Sequence, residues 1–153
     1  MGLSKTQISK LYVTIFGRAS EVEGNIYWQQ QAGNMSDIAN DMLNTQAAKD
    51  YFGATLNDNQ AFIEFIYKNS LNKTYEQDPG GINYWTNLLN SGVSKGDIVK
   101  IMIEAIDSYA PDGINYDPND IATVNAYNQF ANRVEISNYT ADNILITPTN
   151  FST

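Results

Sequence analysis

The chain has 153 residues, of which 42% are hydrophobic and 12% aromatic, with nine basic and 17 acidic side chains. This length suits one domain, or two small units that share a core, and the ordinary apolar content argues against disorder. Because the sequence contains no His and no Cys, it cannot build Ser-His-Asp or Cys-His catalytic triads, thiol redox centres, or zinc sites based on imidazole or thiolate.

The net charge of −8 is concentrated in the last third of the chain. Residues 101–153 carry one base, Arg133, against seven acids (1 − 7 = −6), whereas residues 1–100 carry eight bases against ten acids (8 − 10 = −2). Nucleic-acid binding is excluded because its affinity comes from clustered Lys and Arg. The acidic third would repel an anionic membrane surface unless divalent cations bridged the two. No apolar run approaches the ~18 residues of a membrane-spanning helix.

Helix-initiating and helix-ending signals recur along the whole chain, and no segment alternates with a period of two. Ser4 and Gln7 form a capping box, and Gly17 is the predicted end of the first helix. The further predicted N-caps are Ser36, Thr45, Asp78 (before Pro79), Ser94 (with Asp97) and Asp117 (before Pro118). Gly53 and Gly92 are predicted helix ends. These signals predict an all-α, compact bundle of about seven to eight helices.

The chain also contains an internal repeat. Tyr12 is followed by Gly-Asn-Ile-Tyr-Trp at 24–28, and Tyr67 is followed by Gly-Ile-Asn-Tyr-Trp at 81–85. The tyrosine precedes the tryptophan by 16 residues in the first copy and by 18 in the second. A Trp repeated at equivalent positions favours packing over ligand contact. We therefore predict two related units whose Tyr-Trp pairs bury against one another.

The predicted organisation is one helical domain over residues 1–140. Its repeat units span about 5–53 and 58–110, and a closing helix spans about 117–139. Residues 141–153 are predicted to form an extended tail or a linker to a downstream domain.

These motifs resemble a repeat-domain family with a Gly-x-Asn-Tyr-Trp-like element, found in secreted bacterial surface proteins of the S-layer and RTX types. Residues 12–28 and 81–92 carry the resemblance. Over about 4–139, the order of motifs is similar to the N-terminal cell-surface-anchoring domain of Gram-negative S-layer proteins. Two departures stand out: residues 71–73 read Leu-Asn-Lys where 16–18 read Phe-Gly-Arg, and the Gly- and Asp-rich calcium nonapeptides of RTX proteins do not occur.

The resemblance implies a secreted protein on the outer face of the outer membrane. Its expected partner is surface polysaccharide or lipopolysaccharide, with neighbouring copies of the same protein as a further partner. No cofactor is expected in this segment, and calcium is the one ion left open. The 19 Asn and ten Tyr residues supply the hydrogen-bonding and stacking groups that carbohydrate binding needs. The expected function is therefore non-catalytic surface attachment. The alternatives are a protein–protein assembly module and a polysaccharide-cleaving enzyme.

Five residues are candidates for ligand binding. Arg18 could clamp a phosphate or a sugar acid, or instead face the last carbonyls of the first helix, where a cation is favoured. Lys73, Tyr75 and Tyr116 fall in predicted loops, where side chains are free to meet a ligand. Asn115 adjoins Tyr116 and takes part in the calcium pattern described next.

Asn115, Asp117 and Asn119 alternate like the start of an EF-hand loop. The sixth and twelfth positions of that loop would be Asp120 and Ala126 instead of Gly and Glu, so no EF-hand is predicted. Asp117 is better explained as a helix cap, and a weaker ion site with Asp112 is the remaining alternative.

An enzyme that cleaves polysaccharide would need two carboxyls at a set separation. Asp37 with Asp41, and Glu104 with Asp107, have the spacing of one helical face. Such spacing is common on acidic helices, and no accompanying catalytic motif occurs, so these pairs define only the enzyme alternative.

Overall fold

The computed structural model describes residues 2–145, and every regular element within them is helical. A π-helical segment at Tyr12–Phe16 follows α1, and a 3-10 segment at Gly53–Asn57 follows α4. The eight α-helices are α1 Lys5–Leu11, α2 Val22–Gln29, α3 Met35–Leu43, α4 Gln46–Phe52, α5 Asn59–Leu71, α6 Pro79–Asn90, α7 Lys95–Asp107 and α8 Ile121–Asn143. The all-α prediction is confirmed.

Most of the predicted N-caps are confirmed. Ser4 Oγ accepts from the Gln7 N–H at 3.1 Å, while the Ser4 N–H donates to Gln7 Oε1 at 2.9 Å, which completes the capping box. Thr45, Asp78 and Ser94 likewise accept from the backbone N–H three residues on. These caps fix where α1, α4, α6 and α7 begin.

Two predicted caps are wrong. The N-cap of α3 is Asn34, so Ser36 lies inside the first turn. Asp117 accepts from the Asn119 N–H at 2.9 Å, two residues on, and this local turn delays the helix until Asp120 caps it. The closing helix therefore spans Ile121–Asn143 and extends into the predicted tail. Residues 146–153 of that tail lie outside the described range.

The π-helical segment is stabilised by a buried asparagine from α5. Asn69 Nδ2 donates to the carbonyls of Thr14 and Ile15, each at 3.2 Å, and its Oδ1 accepts from the Tyr51 hydroxyl at 3.1 Å. The wider π turn ends at Gly17, whose φ of 61° lies in the left-handed region. Asn69 thus ties the first helix of one unit to the first helix of the other.

Replacing Asn69 with Ala is expected to lower the free energy of unfolding by about 1–3 kcal/mol, because buried carbonyls lose their donor. Urea denaturation followed by circular dichroism measures the change. Asn87→Ala, at an exposed position of α6, is the matched control and should stay within about 0.5 kcal/mol of the parent. Equal effects of the two substitutions would contradict this role of Asn69.

The two predicted repeat units contain their helices in the same order. The pair of α1 and the π segment corresponds to α5, α2 corresponds to α6, and α3 corresponds to α7. Equivalent elements pack on each other at two places, the π segment on α5 and α3 on α7. The core lies between these pairs and includes Ile8, Tyr12, Ile38, Phe62 and Ile98.

The tryptophans are buried as predicted, but their tyrosine neighbours are not. Trp28 and Trp85 are 4% and 8% exposed, whereas Tyr27 and Tyr84 are 38% and 58% exposed. Each tyrosine stands edge-on to its own tryptophan, with ring centroids 4.9 and 5.0 Å apart. Helix α2 packs mainly on α1 and α8, and α6 on α5 and α7. The two tryptophan helices therefore do not pack mainly on each other, and the prediction that the Tyr-Trp pairs bury against one another is wrong.

Helix α8 crosses both units. Near its C-terminal end, the Ser137 and Ser20 hydroxyls lie 2.8 Å apart, and the Ser20 N–H donates to Ser137 Oγ at 2.9 Å. Near its N-terminal end, Thr123, Ala126 and Tyr127 face α5, α6 and α7 across a cavity. Within residues 2–145, no helix combines the length and the apolar character needed to cross a membrane.

Candidate functional site

Each unit contains a tyrosine whose hydroxyl donates to the acidic residue that precedes its tryptophan helix. Tyr67 donates to Asp78 Oδ2, and Asp78 Oδ1 accepts from the Gly81 N–H at 3.1 Å as the N-cap of α6. In the first unit, Tyr12 donates to Glu21 Oε1 at 3.4 Å, and Glu21 occupies the N-cap position of α2. The repeat is thus a Tyr–carboxylate pair set at the start of a helix.

A glycine three residues after each acid makes room for this pair. A side-chain carbon at Gly81 would lie 2.5 Å from Asp78 Oδ2 and would overlap the Tyr67 hydroxyl. The same atom at Gly24 would overlap the equivalent groups of the first unit. Burial, followed by the neighbouring carboxylate, raises the pKa of Tyr12 and of Tyr67 far above the ordinary value. Both phenols therefore stay protonated and donate to the carboxylates.

Gly81→Ala is expected to destabilise the domain by about 1–3 kcal/mol, because the tyrosine and the capping carboxylate must move apart. The adjacent Gly80→Ala is a matched control, since nothing lies within 4 Å of the added carbon. There, the gain in helix propensity should stabilise the domain by about 0.5–1 kcal/mol. Thermal unfolding of the two variants should give melting-temperature shifts of opposite sign, and shifts of the same sign would contradict this reading.

In the first unit, the carboxylate is neutralised from within the chain. Arg18 Nη1 lies 2.8 Å from Glu21 Oε2, and Glu21 is buried. The guanidinium carbon lies over the rings of Tyr12 and Phe16, at 5.2 and 5.6 Å from their centroids. Gly17 provides the left-handed turn that returns Arg18 toward them. Arg18, a predicted ligand contact, is therefore engaged in an internal ion pair.

The second unit has the same turn but not the same ion pair. Asn72 adopts φ 55° where Gly17 adopts 61°, so the two sequences fold alike. Lys73 corresponds to Arg18, but within residues 2–145 no basic group lies within 4.0 Å of the Asp78 carboxylate. Residues 71–73 therefore differ from residues 16–18 in their side chains, whereas the backbone turn is the same in both units.

A cavity of about 240 Å³ opens beside this carboxylate, between α5, α6, α7 and the start of α8. Its aromatic lining includes Trp85, Tyr109 and Tyr127. Its polar lining includes Lys73, Asp78 and Thr123. Aromatic faces with a few convergent polar groups are typical of small-molecule sites. The volume suits one small ring or terminal group, and this cavity is the candidate site.

A family model matches residues 39–108, and the description of that family is a domain of unknown function, DUF4214. The match covers 70 of the 153 residues, from within α3 through α7. It includes three helices around the cavity but not α8. No curated protein and no solved structure matches the chain.

Of the five predicted contact residues, only Lys73 lines the cavity. Arg18 lies in the other unit. Tyr75 is half-buried against the core, and its hydroxyl accepts from Asn83 at 3.3 Å. Asn115 and Tyr116 are exposed before α8, where Asn115 Nδ2 donates to Ser108 Oγ at 3.0 Å.

Sequence reasoning missed the other residues of the cavity. The sequence pattern indicates a helix cap at Asp78 and a core position at Trp85, and it gives no sign that Tyr109 or Tyr127 contacts a ligand. One signal was available for Asp78: an acid stands three residues before the repeat glycine in both copies.

The residues of the calcium-like pattern have local roles in the structure. Asp117 closes a turn with Asn119, and Asp120 accepts from the Thr123 N–H and hydroxyl. Those two hydrogen bonds lower the pKa of Asp120, with a smaller contribution from Lys73. In the part of the chain that the structure describes, no cluster of three or more acidic side chains is placed to hold a metal ion.

Three of the four carboxylates of the enzyme alternative also have partners. Asp107 lies 2.8 Å from Lys10, and Glu104 lies 3.8 Å from Lys100, along one groove. Asp37 accepts from the Asn34 N–H in the α3 capping box.

Proposed function

We propose that this domain is a non-catalytic attachment module that binds outer-membrane lipopolysaccharide through its polysaccharide. It would anchor a secreted S-layer or RTX-like protein to the outside of the cell. The observation that carries the proposal is the cavity of the second unit, which is lined by aromatic side chains together with Lys73, Asp78 and Thr123. The equivalent place in the first unit is packed by Arg18.

The lining chemistry suits a sugar. Aromatic rings bury the C–H faces of a pyranose, while Asp78, Thr123 and Lys73 offer acceptors and donors for ring hydroxyls. The cavity volume of about 240 Å³ suits recognition of a single sugar residue or the end of a chain. The acidic last third of the chain disfavours direct contact with lipid phosphates, so we expect attachment through sugars, with divalent cations screening the remaining repulsion.

The proposal is tested by measuring binding of the full chain to lipopolysaccharide with and without its long polysaccharide. We expect binding to the long form and at least a ten-fold loss with the form that lacks the chain. Tyr109→Ala, which removes an aromatic wall of the cavity, is expected to weaken binding by about ten-fold, because the apolar contact with one ring is lost.

Tyr139→Ala is the matched control, because this tyrosine is exposed on α8 away from the cavity. It should leave polysaccharide binding unchanged. Binding that ignores the polysaccharide, or that is insensitive to Tyr109→Ala, would contradict the proposal. Release of reducing ends from the bound polysaccharide would show a catalytic function instead.

An assembly module is the second candidate, and the outer face of α8 favours it. Ile136 and Tyr139 are 58% and 65% exposed on adjacent turns. An assembly surface would give concentration-dependent oligomers in light scattering without polysaccharide, and Tyr139→Ala would reduce them. The same variant thus distinguishes the two functions.

A further inference from the structure

We infer that the cavity of the second unit selects a positively charged group, the ammonium of a sugar with a free amine. Asp78 and the aromatic walls would hold this ammonium. The inference rests on the proposed function, because that function makes the ligand a sugar, and it adds the chemistry that the sugar must carry.

The first unit contains an internal version of this complex. The Arg18 guanidinium sits against the Glu21 carboxylate at 2.8 Å and above the Tyr12 and Phe16 rings. A cation between a carboxylate and aromatic faces gains both charge-assisted hydrogen bonds and cation–π attraction. The fold therefore accommodates a cation at this place in the repeat.

The equivalent groups of the second unit all line the cavity. Tyr67 corresponds to Tyr12, Leu71 to Phe16 and Asp78 to Glu21, and all three border the same space. The residues that correspond to the partners of Arg18 therefore border an open space in the second unit. Trp85, Tyr109 and Tyr127 supply additional ring surface around it.

Lys73 does not take the place of Arg18. Its position in the repeat is the same, yet it makes no ion pair within 4.0 Å of Asp78 in the described range. Its positive charge instead contributes to lowering the pKa of Asp120, at the start of α8. The hydrogen bonds of the Asp78 carboxylate come from neutral donors, the Tyr67 hydroxyl and the Gly81 N–H.

A half-buried carboxylate with neutral donors retains unused capacity for a cation. The surroundings add to this preference. Burial, followed by Asp107 and then Asp112, raises the pKa of Tyr127, which lines the cavity. The carboxylates of Asp107 and Asp112 therefore add negative charge near this wall of the cavity, although Asp107 is also paired with Lys10. Lys73 provides the opposing positive charge, so its removal should strengthen cation binding.

The test uses the full chain at pH 6 and low salt, with Trp fluorescence as the readout. The probes are glucosamine, whose amine is protonated at this pH, and glucose and N-acetylglucosamine, which are neutral. We expect glucosamine to bind at least ten-fold more tightly than either neutral sugar, and high salt to reduce this preference. Trp85→Phe should remove the fluorescence response, because Trp28 lies outside the cavity.

Asp78→Asn keeps an N-cap side chain and removes the charge, so it is expected to abolish the preference for glucosamine. Lys73 does not cap α6, so Lys73→Ala is expected to leave the start of that helix intact. It is expected to increase glucosamine affinity about two- to three-fold. Equal affinity for the three sugars, a preference for a neutral sugar, or no response to any of them would overturn the inference. If the inference fails in this way but long-chain lipopolysaccharide still binds, the proposed function is retained without it. If the domain selects glucosamine but does not bind lipopolysaccharide, the proposed function is refuted and the cavity's preference for a cation remains.

Discussion

Trp28→Ala is expected to destabilise the domain by about 3–5 kcal/mol, a large part of the stability of a domain this size. Trp28 is 4% exposed in the first unit, where Arg18 packs on the neighbouring rings of Tyr12 and Phe16. Trp85→Ala should cost less and fall near the lower end of that range. Trp85 already borders a 240 Å³ cavity, so its removal breaks fewer close contacts.

Equilibrium urea denaturation of both variants measures this difference. Tyr84→Ala is the control, because Tyr84 is 58% exposed beside Trp85, and its replacement should cost about 1 kcal/mol or less. A larger loss of unfolding free energy for Trp85→Ala than for Trp28→Ala would contradict the conclusion that Trp28 is closely packed and that Trp85 borders a cavity.

Gly96→Ala is expected to cost about 3 kcal/mol, the upper part of the range for overpacking. Gly96 lies in α7, which packs closely on α3, its counterpart in the other repeat unit. An added carbon would lie 2.5 Å from the Asn40 side chain and would overlap the Ser36 carbonyl. The Gly96 N–H also donates to Asn40 Oδ1 at 2.8 Å, so separating the helices would lengthen this bond.

Gly80→Ala again provides the control, since it adds the same carbon in open space. Differential scanning calorimetry should show a large fall in melting temperature for Gly96→Ala, whereas Gly80→Ala should not lower the melting temperature. A second substitution, Asn40→Ala, should partly rescue Gly96→Ala, because it removes one of the clashing groups. Additive losses from the two changes would argue against this close crossing.

Helix positions follow from local sequence signals, and this is why much of the fold is predictable. Ser4, Thr45, Asp78 and Ser94 cap helices because an oxygen-bearing side chain directly precedes each first turn. Asp117 misleads because the proline after it fits a helix start, whereas the chain forms a two-residue turn there. Competing local turns of this kind are a common source of errors at helix ends.

The π-helical segment and the equivalence of Asn72 with Gly17 are less visible in the sequence. The π turn depends on Asn69, a donor more than 50 residues away. Asn72 adopts the left-handed conformation that sequence patterns usually assign to glycine, and asparagine tolerates it because its short polar side chain can hydrogen-bond locally. Part of the repeat therefore cannot be recognised from the sequence, because the π segment relies on a long-range hydrogen bond and the second turn contains no glycine.

The candidate site is harder still to predict from sequence, because its lining comes from four helices. Lys73 alone among the predicted contacts belongs to it. Trp85 satisfies the pattern of a core residue and is buried, yet it also borders the cavity. Whether a repeated side chain faces a neighbour or an open cavity depends on how α8 crosses the two units, and local patterns do not encode that crossing.

The two tryptophans allow a direct test of the claim that the second unit holds the binding site. Two-dimensional ¹H–¹⁵N NMR spectra resolve their two indole N–H signals, assigned with Trp28→Phe and Trp85→Phe. On addition of the polysaccharide released from long-chain lipopolysaccharide, we expect the Trp85 signal to move in a saturable way while the Trp28 signal stays in place. Movement of the Trp28 signal alone, or of neither signal at saturating polysaccharide, would contradict the account.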